Sequence, residues 1–105
     1  MVLFRGVLMK LKNEIMIKEV QIDLSIRGGA KVFFDYVKNI HGNEILINFE
    51  GSEFISRSFA QEYLKQKRLI DKEIVEINVP ESISSIFKLV ENAPDPNVRK
   101  IVEDL

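Results

Sequence analysis

Two serines, Ser56 and Ser58, stand on either side of Arg57, with Phe54 and Phe59 close by, and form the densest group of chemistry-bearing residues in the chain. A serine hydroxyl becomes a nucleophile only when a base takes its proton. The sequence holds one histidine, His41, and no cysteine, so a thiol nucleophile, a thiolate zinc site and a multi-histidine metal site are excluded within one chain. Two roles remain for the serines. Either of them is a natural helix cap, its oxygen accepting an orphan backbone amide. Either is also a candidate phosphoacceptor, since a phosphate at a helix start is held by exposed amides and can pair with Arg57. That phosphate would bring a charge of about -2 beside Glu50 and Glu53, repelling a partner that had accepted a neutral hydroxyl. Arg57 suits an interface, where arginine and aromatic side chains concentrate binding energy; Phe59 suits the core as readily as an interface.

The other candidates carry weaker signals. Arg27-Gly28-Gly29 lies where a strand-like run gives way to a helical one, so Gly28 and Gly29 with Arg27 form a candidate anion or nucleotide site. Neither phosphate-loop spacing is present, and small residues are also needed wherever a helix start approaches a sheet. His41 precedes Gly42 at a predicted helix end, where an imidazolium complements the dipole. Asp35, Glu50 and Glu53 have no spacing that demands an acid–base pair. Lys65-Gln66-Lys67-Arg68 is followed at once by Asp71, Lys72 and Glu73, which reads as a solvated helix end and not as a nucleic-acid footprint.

The elements that must position these residues follow from periodicity. Residues 2–11 are β-prone, Lys12-Asn13 suits a turn, and in 15–26 Val20, Ile22 and Leu24 alternate with polar residues, which predicts an antiparallel hairpin with a bulge or bend at Lys18-Glu19. Ala30, Phe33, Phe34, Val37 and Ile40 form one helical stripe, with Gly42 placed to end it. Ile45-Leu46-Ile47-Asn48-Phe49 reads as a central strand covered on both faces. Ser58 and Gln61 have capping-box spacing for a second helix whose Ala60, Tyr63 and Leu64 face inward. A strand over Ile74–Val79 stops at Pro80. A third helix carries Ile83, Ile86, Phe87 and Val90. Asp95-Pro96 launches a short last helix with Val98, Ile101, Val102 and Leu105 on one side.

The order β-β-α-β-α-β-α-α predicts an α/β fold with a mainly parallel central sheet, extended by the N-terminal antiparallel hairpin. At 105 residues and 46% apolar composition, one domain over 1–105 with its own core is expected. Fifteen basic residues nearly cancel sixteen acidic ones, so no global field draws in nucleic acid or an anionic membrane. No apolar run approaches the ~20 residues of a bilayer span, and the apolar N-terminus lacks a basic leader region and a cleavage site. A cytoplasmic protein is expected.

The stretch from Ile45 to Leu64, with Phe49-Glu50-Gly51, Phe54-Ile55, Ser56-Arg57-Ser58-Phe59-Ala60 and Glu62-Tyr63-Leu64, resembles the signature of the STAS-like domain family. Ser25-Ile26-Arg27-Gly28-Gly29-Ala30 and Ile77-Asn78-Val79-Pro80-Glu81-Ser82-Ile83 resemble the same family's helix entries, so the likeness covers about residues 14–92. STAS-like domains are similar to anti-sigma-factor antagonists. The resemblance implies a sheet with helices on one side and a contact surface around the loop that starts the second helix. It also implies a histidine-kinase-like ATPase as partner, which phosphorylates a serine and so releases the complex. The chain departs from the antagonists' Asp-Ser-Ser-Gly: aligned on Phe54-Ile55, Arg57 falls where the phosphorylated serine would stand.

The expectation is therefore a non-enzymatic regulatory module binding a protein partner through Glu53, Ser56, Arg57, Ser58 and Phe59, with no cofactor, metal, nucleic acid or membrane. The alternative is a small anion or nucleotide sensor using the helix starts at Gly28 and Ser58. Self-association through the hairpin edge or the apolar last helix is compatible with either.

Overall fold

A computed structural model of the protein describes residues 13–92. Three parallel strands, β1 (Asn13–Met16), β2 (Glu44–Asn48) and β3 (Glu73–Ile77), lie in the order in which they occur in the chain. Three helices connect and follow them: α1 (Arg27–Lys38), α2 (Arg57–Leu69) and α3 (Glu81–Asn92). Residues 13–92 thus form a small α/β unit. Among them no helix is long and apolar enough to cross a membrane.

The register sorts the strand residues onto two faces. Ile15, Ile45, Ile47 and Ile74 are buried on one face, together with Phe49 just beyond β2. All three helices pack there. Strands laid down in one direction with crossovers of one hand put every connecting helix on the same side. The stripe expected for α1 is present, with Ala30, Phe33, Phe34 and Val37 all fully buried. Tyr63 of α2 lies at the centre of this layer. Its ring is within 5.0–6.3 Å of Phe34, Phe87, Phe49, Phe59 and Phe33, an aromatic cluster that unites all three helices with the end of β2.

Three sequence expectations are corrected. The antiparallel hairpin is not formed: β1 pairs in parallel with β2, and the chain leaves the sheet at Ile17–Glu19, a short 3-10 turn at the site of the expected bend. Val20, Ile22 and Leu24 do point every second side chain at the core, but as a half-buried loop. Ile17, in that turn, is buried in the core cluster. The hairpin's other arm, 2–11, and the last helix, 95–105, lie outside the described residues.

Helix α1 ends at Lys38, before Gly42. Asn39 Nδ2 donates to the Asp35 carbonyl at 3.0 Å, and the Asn39 and Ile40 amides donate to the Tyr36 and Val37 carbonyls at 3.1 Å, so orphan acceptors of the last turn find partners without a glycine C-cap, while the Lys72 ammonium holds the carbonyls of Ile40 and Gly42 in the turn beyond. Gly42, at φ 113°, serves the turn into β2. Helix α2 is capped by Ser56 and not by Ser58. The strand β2 is central as expected, and all the described helices lie on one of its faces.

Candidate functional site

In a parallel sheet the loops leaving the carboxyl ends of the strands gather along one edge, where crevices and binding surfaces form. Here that edge collects the loop after β1, the loop after β2 and the starts of α1 and α2. The Ser56 amide donates to the Leu24 carbonyl at 3.0 Å and joins the two loops. Turn 49–52 closes through the Ser52 amide on the Phe49 carbonyl, with Gly51 at φ 86°, where the Lys18 stem occupies the space a side chain would need. Buried Asn48 braces the edge from within: its amide donates to Glu14, while its oxygen accepts from the Glu50 backbone and the Asn78 side chain.

Ser56 has extended backbone (φ -82°, ψ 165°), and its Oγ accepts the Phe59 amide at 3.0 Å, the geometry of an N-cap. Arg57 is already helical, so Ser58 sits inside the first turn, its Oγ 3.1 Å from that of Ser56. Gln61, expected to complete a box with Ser58, instead accepts from Arg27 Nη2 at 2.8 Å. Arg57 and Glu53 are exposed, and Ser56 and Ser58 are half-buried. Phe59 is fully buried against Tyr63 and is unavailable to a partner, so its place among the contact residues is withdrawn. The loop's surface aromatic is Phe54, 59% exposed; across the junction Ile26 is 51% exposed. Of the neighbours Phe54 and Ile55, Ile55 takes the core and Phe54 the surface.

At the start of α1, Gly28 borders open space, whereas a Cβ on Gly29 would lie 1.9 Å from the Asp23 carbonyl oxygen. Gly29 is therefore a packing requirement. Arg27 turns away from this helix start to reach Gln61 and, at 3.4 Å, Glu62 on α2. Asp23 lies beside the same start, and hydrogen bonds from the Ser25 hydroxyl and then the Ser25 amide hold its carboxyl below the ordinary range. A carboxylate there and an engaged arginine do not make a ready cradle for an anion.

Glu62 was not singled out from the sequence, although it falls on the inward side of α2 between Ala60 and Tyr63. Its side chain is 2% exposed, with Gln66 Nε2 donating at 2.7 Å. Burial alone would raise its pKa; the bonds from Gln66 and Arg27 and the nearby charges of Lys65 and Lys31 outweigh that and hold it below 4.5. A second network links α2 to β3: the Tyr63 hydroxyl donates to Glu76 Oε2 at 2.7 Å, and Lys67 Nζ donates to Oε1 at 3.0 Å. It borders a shallow cleft of about 210 Å³ floored by Leu64, Val79 and Phe87. Burial, with Glu76 beside it, raises the Tyr63 pKa well above 10.

Chemically, this edge presents hydroxyls, a cation and two apolar side chains. Neither Ser56 nor Ser58 is hydrogen-bonded to an imidazole or a carboxylate. His41 is exposed at the opposite end of the sheet, its backbone carbonyl accepting from Asn13. Among the described residues no three His, Asp or Glu side chains converge on a metal-sized space. No protein-family model, curated protein or solved structure matches this chain.

Proposed function

We propose that the chain is a non-enzymatic regulatory module of the STAS-like type, which docks on a protein partner through the carboxyl edge of its sheet. The observation that carries this reading is the pair of large apolar side chains, Ile26 and Phe54, held in water on either side of the capped start of α2. The backbone beneath them is tied down by the Ser56–Leu24 bond and the Ser56 cap, so their exposure costs little further ordering when a partner arrives. Arg57 and Glu53 supply a polar rim. The sequence resemblance points to a histidine-kinase-like ATPase as partner.

Phosphorylation is the switch that suits this surface. Ser56 Oγ is engaged by the Phe59 amide, so Ser58 is the hydroxyl to modify. The Ser58 oxygen takes the γ-phosphoryl group of the partner's ATP, ADP leaves, and the hydroxyl proton passes to solvent. The dianion would be held by the helix start and would repel the surface that had accepted a neutral side chain.

Titration calorimetry against a histidine-kinase-like ATPase from the same genome tests the proposal. Binding by the native chain, lost in Phe54→Asp, Arg57→Glu and Ser58→Asp while their circular dichroism stays native, supports it. Binding unaffected by all three substitutions, or no binding to any such ATPase, would refute it.

A further inference from the structure

The face of the sheet turned away from the helices is a small apolar field with an acidic border. Across the three strands the register aligns Glu14 with Leu46 and Val75, and Met16 with Asn48 and Ile77, while Glu44 and Glu73 pair at the amino edge. Met16, Leu46, Val75 and Ile77 are half-buried and lie outside the core cluster formed on the other face. Glu14 and Glu73 are exposed. None of the described helices covers this face.

Its size restricts what can cover it. Three strands about 4.8 Å apart and about 16 Å long offer roughly 200–250 Å². A stable dimer buries about 800 Å² on each partner, so a second copy gains too little from this field alone. A short tethered segment does not face that limit, because its effective concentration is already in the millimolar range.

Two segments of this chain flank the described residues, and charge separates them. Residues 1–12 carry Arg5, Lys10 and Lys12 and no acidic residue, and they supply Phe4, Val7, Leu8 and Leu11 at i, i+3, i+4, i+7. Residues 93–105 carry Asp95, Glu103 and Asp104 against Arg99 and Lys100, an acidic balance that an acidic border disfavours. Reach separates them too. The C-terminal segment leaves from α3, on the helix side, whereas residues 1–12 join the sheet at Asn13 and, at up to ~3.5 Å per residue, span about 40 Å. We propose that the basic, apolar segment 1–12 packs across Leu46, Val75, Met16 and Ile77 as the second layer of the sheet, its cations facing Glu14 and Glu73.

The chain has no cysteine, so engineered pairs report contact without background. Val75→Cys is combined in turn with Val7→Cys, Leu8→Cys and Ile101→Cys in the full chain, and peptide mapping after mild oxidation locates the disulfides. An intrachain disulfide from position 75 to position 7 or 8, together with methyl NOEs from Val75 and Leu46 to Val7 or Leu8 in the unsubstituted protein, is the expected result. A disulfide to position 101, disulfides only between chains, or free alkylation of the thiol introduced at position 75 with no NOE to residues 1–12 would overturn the proposal. The NOE arm needs no substitution and so stays decisive if a cysteine variant misfolds.

Discussion

The guanidinium of Arg27, the first residue of α1, lies 3.4 Å from the carboxylate of Glu62 on α2 and ties together the two helices whose starts frame the carboxyl edge of the sheet. One end of this pair is 49% exposed and the other 2%. Solvent screens it from the arginine side, while burial makes the carboxylate costly to leave without partners.

Arg27→Ala is therefore expected to cost about 1 kcal/mol in denaturant unfolding, discounted for the arginine's exposure. Paired with Glu62→Gln, it should show a coupling of roughly 0.5–1 kcal/mol in a double-mutant cycle. A coupling of zero would mean that the contact joins the helices without stabilising them. The sign with pH follows from the lowered Glu62 pKa: its contribution is present above about pH 4.5 and is lost as pH falls through the folded value. Arg27→Ala should make that acid-side loss smaller.

The two adjacent glycines of α1 should respond in opposite directions. Gly28→Ala meets no atom within 4 Å and should stabilise by about 0.4–1 kcal/mol through reduced freedom of the unfolded chain. Gly29→Ala places a carbon 1.9 Å from the Asp23 carbonyl, which is backbone and cannot swing aside. A cost of about 1–3 kcal/mol or more is expected from the forced shift. Equal thermal midpoints for the two variants would contradict this packing.

The serines are separable in the same way. Ser56→Ala removes the oxygen that accepts the Phe59 amide and should cost about 1 kcal/mol. Ser58→Ala leaves the cap intact and should stay within about 0.5 kcal/mol of the native chain. Thermal or denaturant unfolding of the two variants side by side checks this, and the reverse order would restore Ser58 as the cap.

Tyr63→Phe keeps the aromatic packing and removes the hydroxyl that donates to Glu76. A loss of about 1–2 kcal/mol is expected, moderated because Lys67 and solvent still reach the Glu76 side chain, which is 21% exposed. The raised Tyr63 pKa adds a pH signature. Its contribution is complete below about pH 10 and is lost as pH rises above the unfolded value, because only the unfolded chain then ionises easily. Alkaline unfolding monitored at several pH values should lose this component in Tyr63→Phe.

Much of the architecture was legible in the residues themselves. The period of 3.6 in Ala30, Phe33, Phe34 and Val37 places a helix because no other regular structure puts those four on one side, and all four are buried. The run Ile45–Phe49 reads as a central strand, which forms over Glu44–Asn48, and Pro80 marks the stop after Val79, beyond the end of β3 at Ile77. The alternation of Val20, Ile22 and Leu24 was also real, but period 2 describes any extended chain with one side against apolar surface. Whether such a chain joins a ladder depends on a free edge at the right height, which is not a local property. The cap could not be chosen locally either: Ser56 and Ser58 are both good caps, and the choice rests on Leu24 holding the Ser56 amide, a contact more than thirty residues away in sequence.

Side-chain type and spacing alone thus determined the three described helices, the strands β2 and β3 and the lack of a cysteine nucleophile, because periodicity and composition are properties of the chain itself. The tertiary structure alone decided that Phe54 and Ile26 stand in water while Phe59 does not. It also decided that Arg27 serves Glu62, and that the described helices all lie on one face of the sheet. These outcomes depend on which distant surfaces meet, and burial is settled by the neighbour that arrives, whatever the residue that waits for it.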